Sequence, residues 1–415
     1  MSDSTRFRPT KPELAPRFIK QIKVSGADGI EPNDLFTAII SDAVEKRASD
    51  LHLDPQSDAY CLRMRVDGAL HDVCEIPTEL AERILNHFKV LAELDPIPAL
   101  KPMEGWVEHE AEDRLVNMRV SCVPSVSGDK LSLRILDPRR MQSSLGDLGF
   151  SSEQSELIHE WIEDIQGMFL VAGAVGTGKT STLYSLLDEL KGRECSIVTV
   201  EDPVEYRIDG ITQMQLSEKK ELDFAESLKT ILRIDPDYIM LGEMRDEASI
   251  ETAWDAASTG KVLLSTLHSK DAAGVISSLR NYGREDFEIA SFLEMVVAQR
   301  LVRTLCDECK EAGEPEAIDR KWFESFDCEL PDSVNYAKGC EACGGVGYKG
   351  RSGLFEVWRV DNEHKEFILG HPDELSLRGK LREWGIPSLM DSAMQMISDG
   401  QTSPYEIRTI GGFSK

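Results

Sequence analysis

The stretch Gly173-Ala174-Val175-Gly176-Thr177-Gly178-Lys179-Thr180 fits the pattern GxxxxGK[ST]. Glycines at these spacings let backbone N–H groups converge on phosphate oxygens, and a helix starting at the lysine adds the positive end of its dipole. In this pattern Lys179 reaches the β and γ phosphates of a nucleoside triphosphate and Thr180 ligates Mg²⁺. Gly173, Val175, Gly176, Thr177, Gly178 and Ser181 complete the phosphate-binding set. The flanks give the pattern its weight: an apolar run precedes it, and Thr182, Leu183, Leu186 and Leu187 follow at helical spacing.

A second group of polar residues points to the same chemistry independently of that motif. Apolar runs at 168–171, 197–200, 238–241 and 262–264 end in the phosphate loop, in Glu201-Asp202 with Glu205 close behind, in Gly242-Glu243, and in Ser265-Thr266-Leu267-His268. Ligands of open parallel sheets bind beyond the carboxyl ends of the strands, so these ends are expected to converge on one site. Phosphoryl transfer to water needs an oriented water and cancellation of charge on the γ phosphate. Glu201 and Glu205 are the candidates for orienting that water, Glu243 for the magnesium side, and His268 for a bond to the γ phosphate. Each of them could also be a surface carboxylate, a helix cap or a locally satisfied histidine.

Cys306-x₂-Cys309 and Cys340-x₂-Cys343 supply four thiolates in two pairs, the donor set of a closed tetrahedral zinc site with a structural role. Gly339, Gly344 and Gly345 permit the tight turns such a knuckle requires. The 30 residues between Cys309 and Cys340 imply an insertion between the pairs. The segment carries no basic stripe, which argues against a nucleic-acid module.

These residues must be positioned by an α/β fold. Alternating apolar runs and helical patterns over 141–300 predict a parallel sheet covered on both faces. Residues 31–140 predict a small α+β domain. In it Leu80, Ile84, Leu85, Phe88 and Leu91 recur at helical spacing, and Tyr60, Leu62, Met64 and Val66 alternate up to an Asp67-Gly68 turn. A second strand pair, carrying Val116, Met118 and Val120 and then Leu131, Leu133 and Ile135, flanks Ser127-Gly128-Asp129. Arg119 and Arg134 alternate with those apolar residues and therefore lie on the surface of the domain. Residues 1–30, with Pro9, Pro12, Pro16 and an excess of basic side chains, read as a mobile tail. Residues 301–353 form the cysteine element, and 354–415 read as largely helical, with starts near Asp373 and Ser403.

The 415 residues carry 47 Lys plus Arg against 74 Asp plus Glu, a net charge of −27. So acidic a chain is a poor non-specific partner for nucleic acid or anionic lipid. Its longest apolar stretch, 168–175, is far short of the roughly 20 residues of a membrane span. No signal-peptide pattern opens the chain, and nine cysteines, an odd number, do not suggest a disulfide framework. A cytoplasmic protein is expected.

Over residues 40–410 the sequence resembles the secretion ATPases of type II secretion systems and type IV pilus assembly. The resemblance rests on Arg47-Ala48-Ser49-Asp50-Leu51-His52-Leu53, on 63–68, the phosphate loop, Glu201-Asp202-Pro203-Val204-Glu205-Tyr206, 232–246 (LRIDPDYIMLGEMRD), Ser265-Thr266-Leu267-His268, Gln299-Arg300-Leu301 and the cysteine pairs. It implies a RecA-like ATPase domain behind an N-terminal PAS-like domain, and a cytoplasmic homohexamer working with an inner-membrane platform protein. It also implies that Glu201 to Glu205 form the aspartate box, Glu243 is the Walker B acid, His268 belongs to the histidine box, and Arg119 and Arg134 reach the γ phosphate. The cysteine element favours an assembly or export motor over a retraction motor. Three positions depart from the family pattern: Lys261 in place of His, Trp106 in place of Gly-Arg after Gly105, and Gly128-Asp129 in place of Gly-Glu. Lys261 and Trp106 leave a degenerate, ATP-binding regulatory paralogue as one alternative; a nucleic-acid-dependent ATPase is another, since RecA-like cores and zinc ribbons occur in such motors too. The chain starts close to the PAS-like domain, so the extra N-terminal docking domain of longer members is not expected.

Overall fold

In the computed structural model, which describes residues 7–25, 31–97, 101–111, 114–137, 144–164, 166–216, 224–244 and 246–414, the chain divides into two units, 1–140 and 141–415. The fold class is α/β, as the sequence implies.

Period-two alternation builds the first unit. Its strands are β1 (Arg8–Pro9), β2 (Ala48–Pro55), β3 (Ala59–Val66), β4 (Ala69–Pro77), β5 (Met103–Ala111), β6 (Arg114–Ser125) and β7 (Gly128–Leu136). They pair antiparallel in the order β1-β4-β3-β2-β7-β6-β5. Asp67 and Gly68, at φ 47° and 81°, make the two-residue turn between β3 and β4. One face packs on α1 (Pro16–Ser25), α2 (Pro32–Glu45) and α3 (Thr78–Leu91), burying Leu51, Met64, Met118, Val120 and Leu133 against Phe18, Phe36 and Phe88.

The expected mobile tail over 1–30 is corrected for residues 7–25; residues 1–6 and 26–30 lie outside the described residues. Helix α1 buries Phe18, Ile19 and Ile22 in the core of this unit. The fully buried Asp42 of α2 accepts the backbone N–H groups of Arg17 (3.2 Å) and Phe18 (2.9 Å) and pairs with the Arg17 guanidinium at 3.2 Å. A carboxylate at a helix N-terminus satisfies orphan donors and favours the dipole, which anchors the segment.

The second unit opens with α4 (Leu145–Leu148) and α5 (Ser152–Glu163). There follow β8 (Met168–Ala172), α6 (Lys179–Leu190), β9 (Ile197–Glu201), β10 (Thr212–Gln215), α7 (Phe224–Ile231), β11 (Tyr238–Leu241), α8 (Glu247–Ser258), β12 (Val262–Leu267), α9 (Ala272–Asn281), α10 (Asp286–Phe292) and β13 (Leu293–Leu305). The cysteine element holds β14 (Glu311–Gly313), α11 (Ala317–Glu324) and β15 (Val334–Tyr336). Last come β16 (Tyr348–Arg359), α12 (Asn362–Leu369), α13 (Glu374–Glu383), α14 (Leu389–Ser398) and α15 (Pro404–Ile410).

The sheet order is β10-β9-β11-β12-β8-β13-β16, parallel except for β16, which runs antiparallel to β13. Every residue of β8, β9 and β12 is buried, because helices cover both faces. Phe169, Val171, Leu264 and Val297 face Trp161 of α5 and Leu183, Leu187 of α6. Leu170, Leu263 and Val296 face Ile250 of α8, Ile276 of α9 and the C-terminal helices.

The boundaries expected at 300 and 353 fall inside β13 and β16, two paired strands of this sheet. Residues 354–359, expected as helix, are strand. The cysteine element and C-terminal helices therefore hang on the core sheet. Gln299, Arg300 and Arg303 break the apolar run of β13 and hide it from a reading by hydropathy. Among the described residues no helix is long and apolar enough to cross a membrane.

Candidate active site

The phosphate loop joins β8 to α6, and its shape needs its glycines. Gly173 has φ 158°, and a Cβ there would lie 2.5 Å from Thr177 Oγ1 and 2.8 Å from the Gln299 carbonyl oxygen. Gly178, at φ 90°, is the N-cap of α6. The Thr177 hydroxyl donates to the Ala174 carbonyl (2.9 Å), closing the loop on itself. Lys179 Nζ donates to the carbonyls of Gly173 (2.8 Å) and Ala174 (3.2 Å). Burial lowers its pKa, with Glu243 opposing and Arg300 adding to the effect. Val175 is 85% exposed at the loop tip, while Thr180 and Ser181 lie half-buried in the first turn of α6.

Glu243 and His268 come to this loop from the ends of β11 and β12. Those ends are stitched together: the Ser265 hydroxyl donates to Leu241 (2.9 Å) and the Thr266 hydroxyl to Gly242 (2.8 Å). His268 Nε2 pairs with Glu243. Its Nδ1 lies 3.2 Å from the Gly173 carbonyl and 3.5 Å from Lys179 Nζ. An ammonium, an imidazole and a carboxylate thus meet beside the helix N-terminus, a grouping suited to a phosphate chain and its metal counterion.

Glu201 is not part of this grouping. It is 3% exposed at the end of β9, accepts from the Thr199 hydroxyl (2.5 Å), the Tyr184 hydroxyl and the Gln213 amide (3.2 Å), and faces α6. Burial raises its pKa and the three donors pull it back. Three side-chain donors thus already engage its two oxygens, and none of them belongs to the grouping of Lys179, Glu243 and His268. Glu205 is half-buried beyond it, held through its own N–H by the Tyr184 hydroxyl (3.2 Å). Tyr184, Thr199, Gln213 and Gln299 support the site and carry no motif of their own beyond the Gln-Arg-Leu triplet.

In the first unit Arg119 and Arg134 face each other directly across β6 and β7. Both point away from the helices. Like charges so close would repel, and carboxylates relieve them: Glu104 lies 2.5 Å from Arg119, and Asp50 lies 3.2 Å from Arg134. Arg134 is 65% exposed. Arg63 pairs with Asp72 (2.7 Å) and Asp54 (3.0 Å), and Arg65 lies 3.5 Å from Asp50.

Residues 27–409 match the family described as "Type II/IV secretion system protein". The chain belongs to that family. It is 37% identical to the type II secretion system ATPase E of Vibrio cholerae over 376 residues, 91% of this chain and 74% of that protein. It is 36% identical to the type IV pilus assembly ATPase PilB of Myxococcus xanthus over 388 residues, 92% of this chain and 68% of that one. Among solved structures it resembles the Legionella pneumophila ATPase DotB, with TM-score 0.68, 20% identity, and coverage of 92% of this chain and 96% of that one. The pilus retraction motor PilT with bound ADP gives TM-score 0.56 and 21% identity, covering 90% and 98%. These two likenesses concern the fold.

Each departure from the secretion-ATPase pattern has a definite place. Lys261 pairs with Asp235 at the start of β12. Six residues of strand, about 20 Å at ~3.3 Å each, separate it from His268. Trp106 sits opposite Arg119 in register. Asp129 binds the buried ammonium of Lys89 at 2.7 Å. Arg245, within the matching stretch 232–246, lies outside the described residues.

The four cysteines of the second unit also cluster. Their sulfurs lie within 4.8 Å of one another, with Cys306–Cys340, Cys309–Cys343 and Cys340–Cys343 at 3.9, 3.8 and 3.8 Å. Tetrahedral thiolates at the usual Zn–S length of ~2.3 Å stand about 3.8 Å apart, so the donor set fits zinc. The N–H groups of Cys340 and Gly347 each point at the Cys343 sulfur at 3.1 Å, favouring its thiolate.

Proposed function

We propose that this family member is the ATP-hydrolysing motor of a type II secretion pseudopilus or a type IV pilus assembly system. The observation that carries this reading is the meeting of Lys179, Glu243 and His268 at a glycine-shaped loop and helix N-terminus. The names of the relatives, secretion ATPase E and pilus assembly ATPase PilB, support it.

In the proposed mechanism backbone N–H groups from Gly173 to Ser181, Val175 included, bind the phosphates. Lys179 leaves its two loop carbonyls for the β and γ oxygens. Thr180 and Glu243 would hold Mg²⁺, which would supply charge neutralisation for the triphosphate. Glu205 orients the attacking water, and His268 bonds the γ phosphate and reports its loss to Glu243. Arg119 and Arg134 exchange their carboxylate partners for the γ phosphate and stabilise charge in the transition state. The products are ADP and phosphate. Zinc, held by Cys306, Cys309, Cys340 and Cys343, has a structural role. The working form is a homohexamer on the cytoplasmic face of the inner membrane, recruited by a platform protein. No nucleic-acid partner is expected at a net charge of −27.

Lys261, which motivated a degenerate paralogue, sits at the end of β12 away from His268 and gives that alternative no support. Steady-state phosphate release by the purified chain tests the reading. Turnover dependent on Mg²⁺ is expected; nucleotide binding without turnover would replace the motor with a regulatory ATP-binding protein.

A further inference from the structure

Strand β13 holds two adjacent polar residues inside a sheet covered on both faces. Gln299 is 2% exposed, and both ends of its amide are used. Its Nε2 donates to the Thr177 carbonyl (2.7 Å), and its Oε1 accepts from the Thr182 hydroxyl (2.8 Å). One arm therefore ends on the phosphate loop and the other on the first turn of α6. The Gln299 carbonyl also lies where a Cβ on Gly173 would go, so this residue forms the floor of the loop.

The next residue points the opposite way, as strand geometry requires. Odd-numbered neighbours Met295 and Val297 join the core under α5 and α6, and even-numbered Val296 and Ala298 the core under α8 and α9. The Arg300 guanidinium, buried on that second side, donates to the Lys270 carbonyl (2.9 Å), two residues past His268, and to the Gly412 carbonyl (3.2 Å). The next residue along that loop, Asp271, caps α9 through Gly274 N–H (2.8 Å) and pairs with Arg378 at 2.9 Å. Two neighbouring side chains of one strand thus grip, from opposite faces, the two loops that meet at Lys179 and His268.

We propose that Gln299 and Arg300 are positioning residues: Gln299 sets the shape of the phosphate loop, and Arg300 sets the placement of the His268 loop against it. The proposal rests on the nucleotide-site reading above. Neither residue touches phosphate. Gln299 acts on every phosphate the loop binds, so its loss weakens triphosphate and diphosphate alike. Arg300 acts through His268 at the γ end, so its loss slows turnover and spares the diphosphate.

The test measures, for full-length chain, dissociation constants of fluorescent ATP and ADP analogues, steady-state kcat, and Tm. Gln299→Met, which keeps volume and removes both bonds, is expected to weaken both nucleotides about tenfold, the scale of leaving buried polar groups unpaired. Thr182→Val removes one arm and is expected to weaken binding by about threefold. Combined with Gln299→Met it is expected to add less than its own effect, because the arm is already gone. Arg300→Lys is expected to lower kcat about tenfold with ADP affinity unchanged. Should Gln299→Met fail to fold, Thr182→Val carries the same binding test. A purely structural role would lower Tm while leaving affinity and kcat of the folded fraction at wild-type values, and that result overturns the proposal. Lys179→Ala, run in parallel, separates the two failures. If it is inactive while the Gln299 and Arg300 variants are normal, only the positioning role falls. If it binds and turns over as wild type, the nucleotide-site reading falls and this proposal with it.

Discussion

The two sheets of this chain display charge in different places. In the N-terminal unit, helices cover one face of an antiparallel sheet, and period-two alternation puts Arg119, Arg134, Arg63 and Arg65 on the other. There a charged side chain costs little: Arg134 is 65% exposed and needs only Asp50 beside it. In the C-terminal unit helices cover both faces, and the solvated polar groups of the site sit at strand ends, where Lys179, Glu243 and His268 meet. A polar group on a covered face must be fully partnered. Glu201 takes three side-chain donors, and Gln299 uses both ends of its amide. The contrast separates reactive from supporting residues: an open face or a strand end clear of the helices leaves a side chain available for ligand, and burial under a helix commits it to structure, even at a strand end as for Glu201.

The largest effect should come from the open face. Arg119→Ala combined with Arg134→Ala is expected to reduce kcat on the order of 10³-fold, the lower end for arginines acting on a γ phosphate. Tm should hardly move, since the Arg134 side chain is 65% exposed and that of Arg119, 38% exposed, pairs with the exposed Glu104. A large drop in Tm instead would mean that this face is structural and would break the contrast.

Next in size is the pair of glutamates beyond β9. Glu205→Gln is expected to reduce kcat by about 10²-fold with Tm unchanged, as for loss of a group acting on the transition state. Glu201→Ala should do the reverse and lower Tm, because it leaves the Thr199 and Tyr184 hydroxyls buried without an acceptor, at about 1–3 kcal/mol each. Equal kinetic loss in both variants would return Glu201 to the reactive set.

The smallest effect sharpens the cost of charge on a covered face. Burial, reinforced by Asp271, raises the Glu356 carboxyl from its usual 4.5 to about 8, although Arg378 and the N–H groups of Ala272 and Leu389 favour the charged form. The folded chain then holds a proton that the unfolded chain releases, so stability falls as pH rises from about 5 to about 8 and is level above that. Glu356→Gln should flatten that slope, read as Tm between about pH 6 and about pH 9. An unchanged slope would show that Glu356 is charged in the folded state across that range.

Much of the fold was legible because the two periods are strong. Alternation in β6 and β7 places Arg119 and Arg134 on the right face, and the runs ending at 173, 201, 243 and 268 mark the strand ends. The four cysteines were legible from spacing alone. What was not legible depends on partners distant in sequence. Residues 7–25 look like a tail until Asp42 caps α1. Strand β13 looks discontinuous until Gln299 finds Thr177 and Arg300 finds Lys270, 122 and 30 residues away. Glu201 resembles Glu205 in sequence, and what sets it apart is the set of side-chain donors, Thr199, Tyr184 and Gln213, that the fold brings to its carboxylate.

Steady-state phosphate release by Lys179→Ala, compared with the unchanged chain at saturating nucleotide and Mg²⁺, bears most directly on whether the strand ends serve one triphosphate. A fall of at least about 10²-fold is expected, the loss produced when one charge-stabilising donor is removed. Release at the wild-type rate would contradict it.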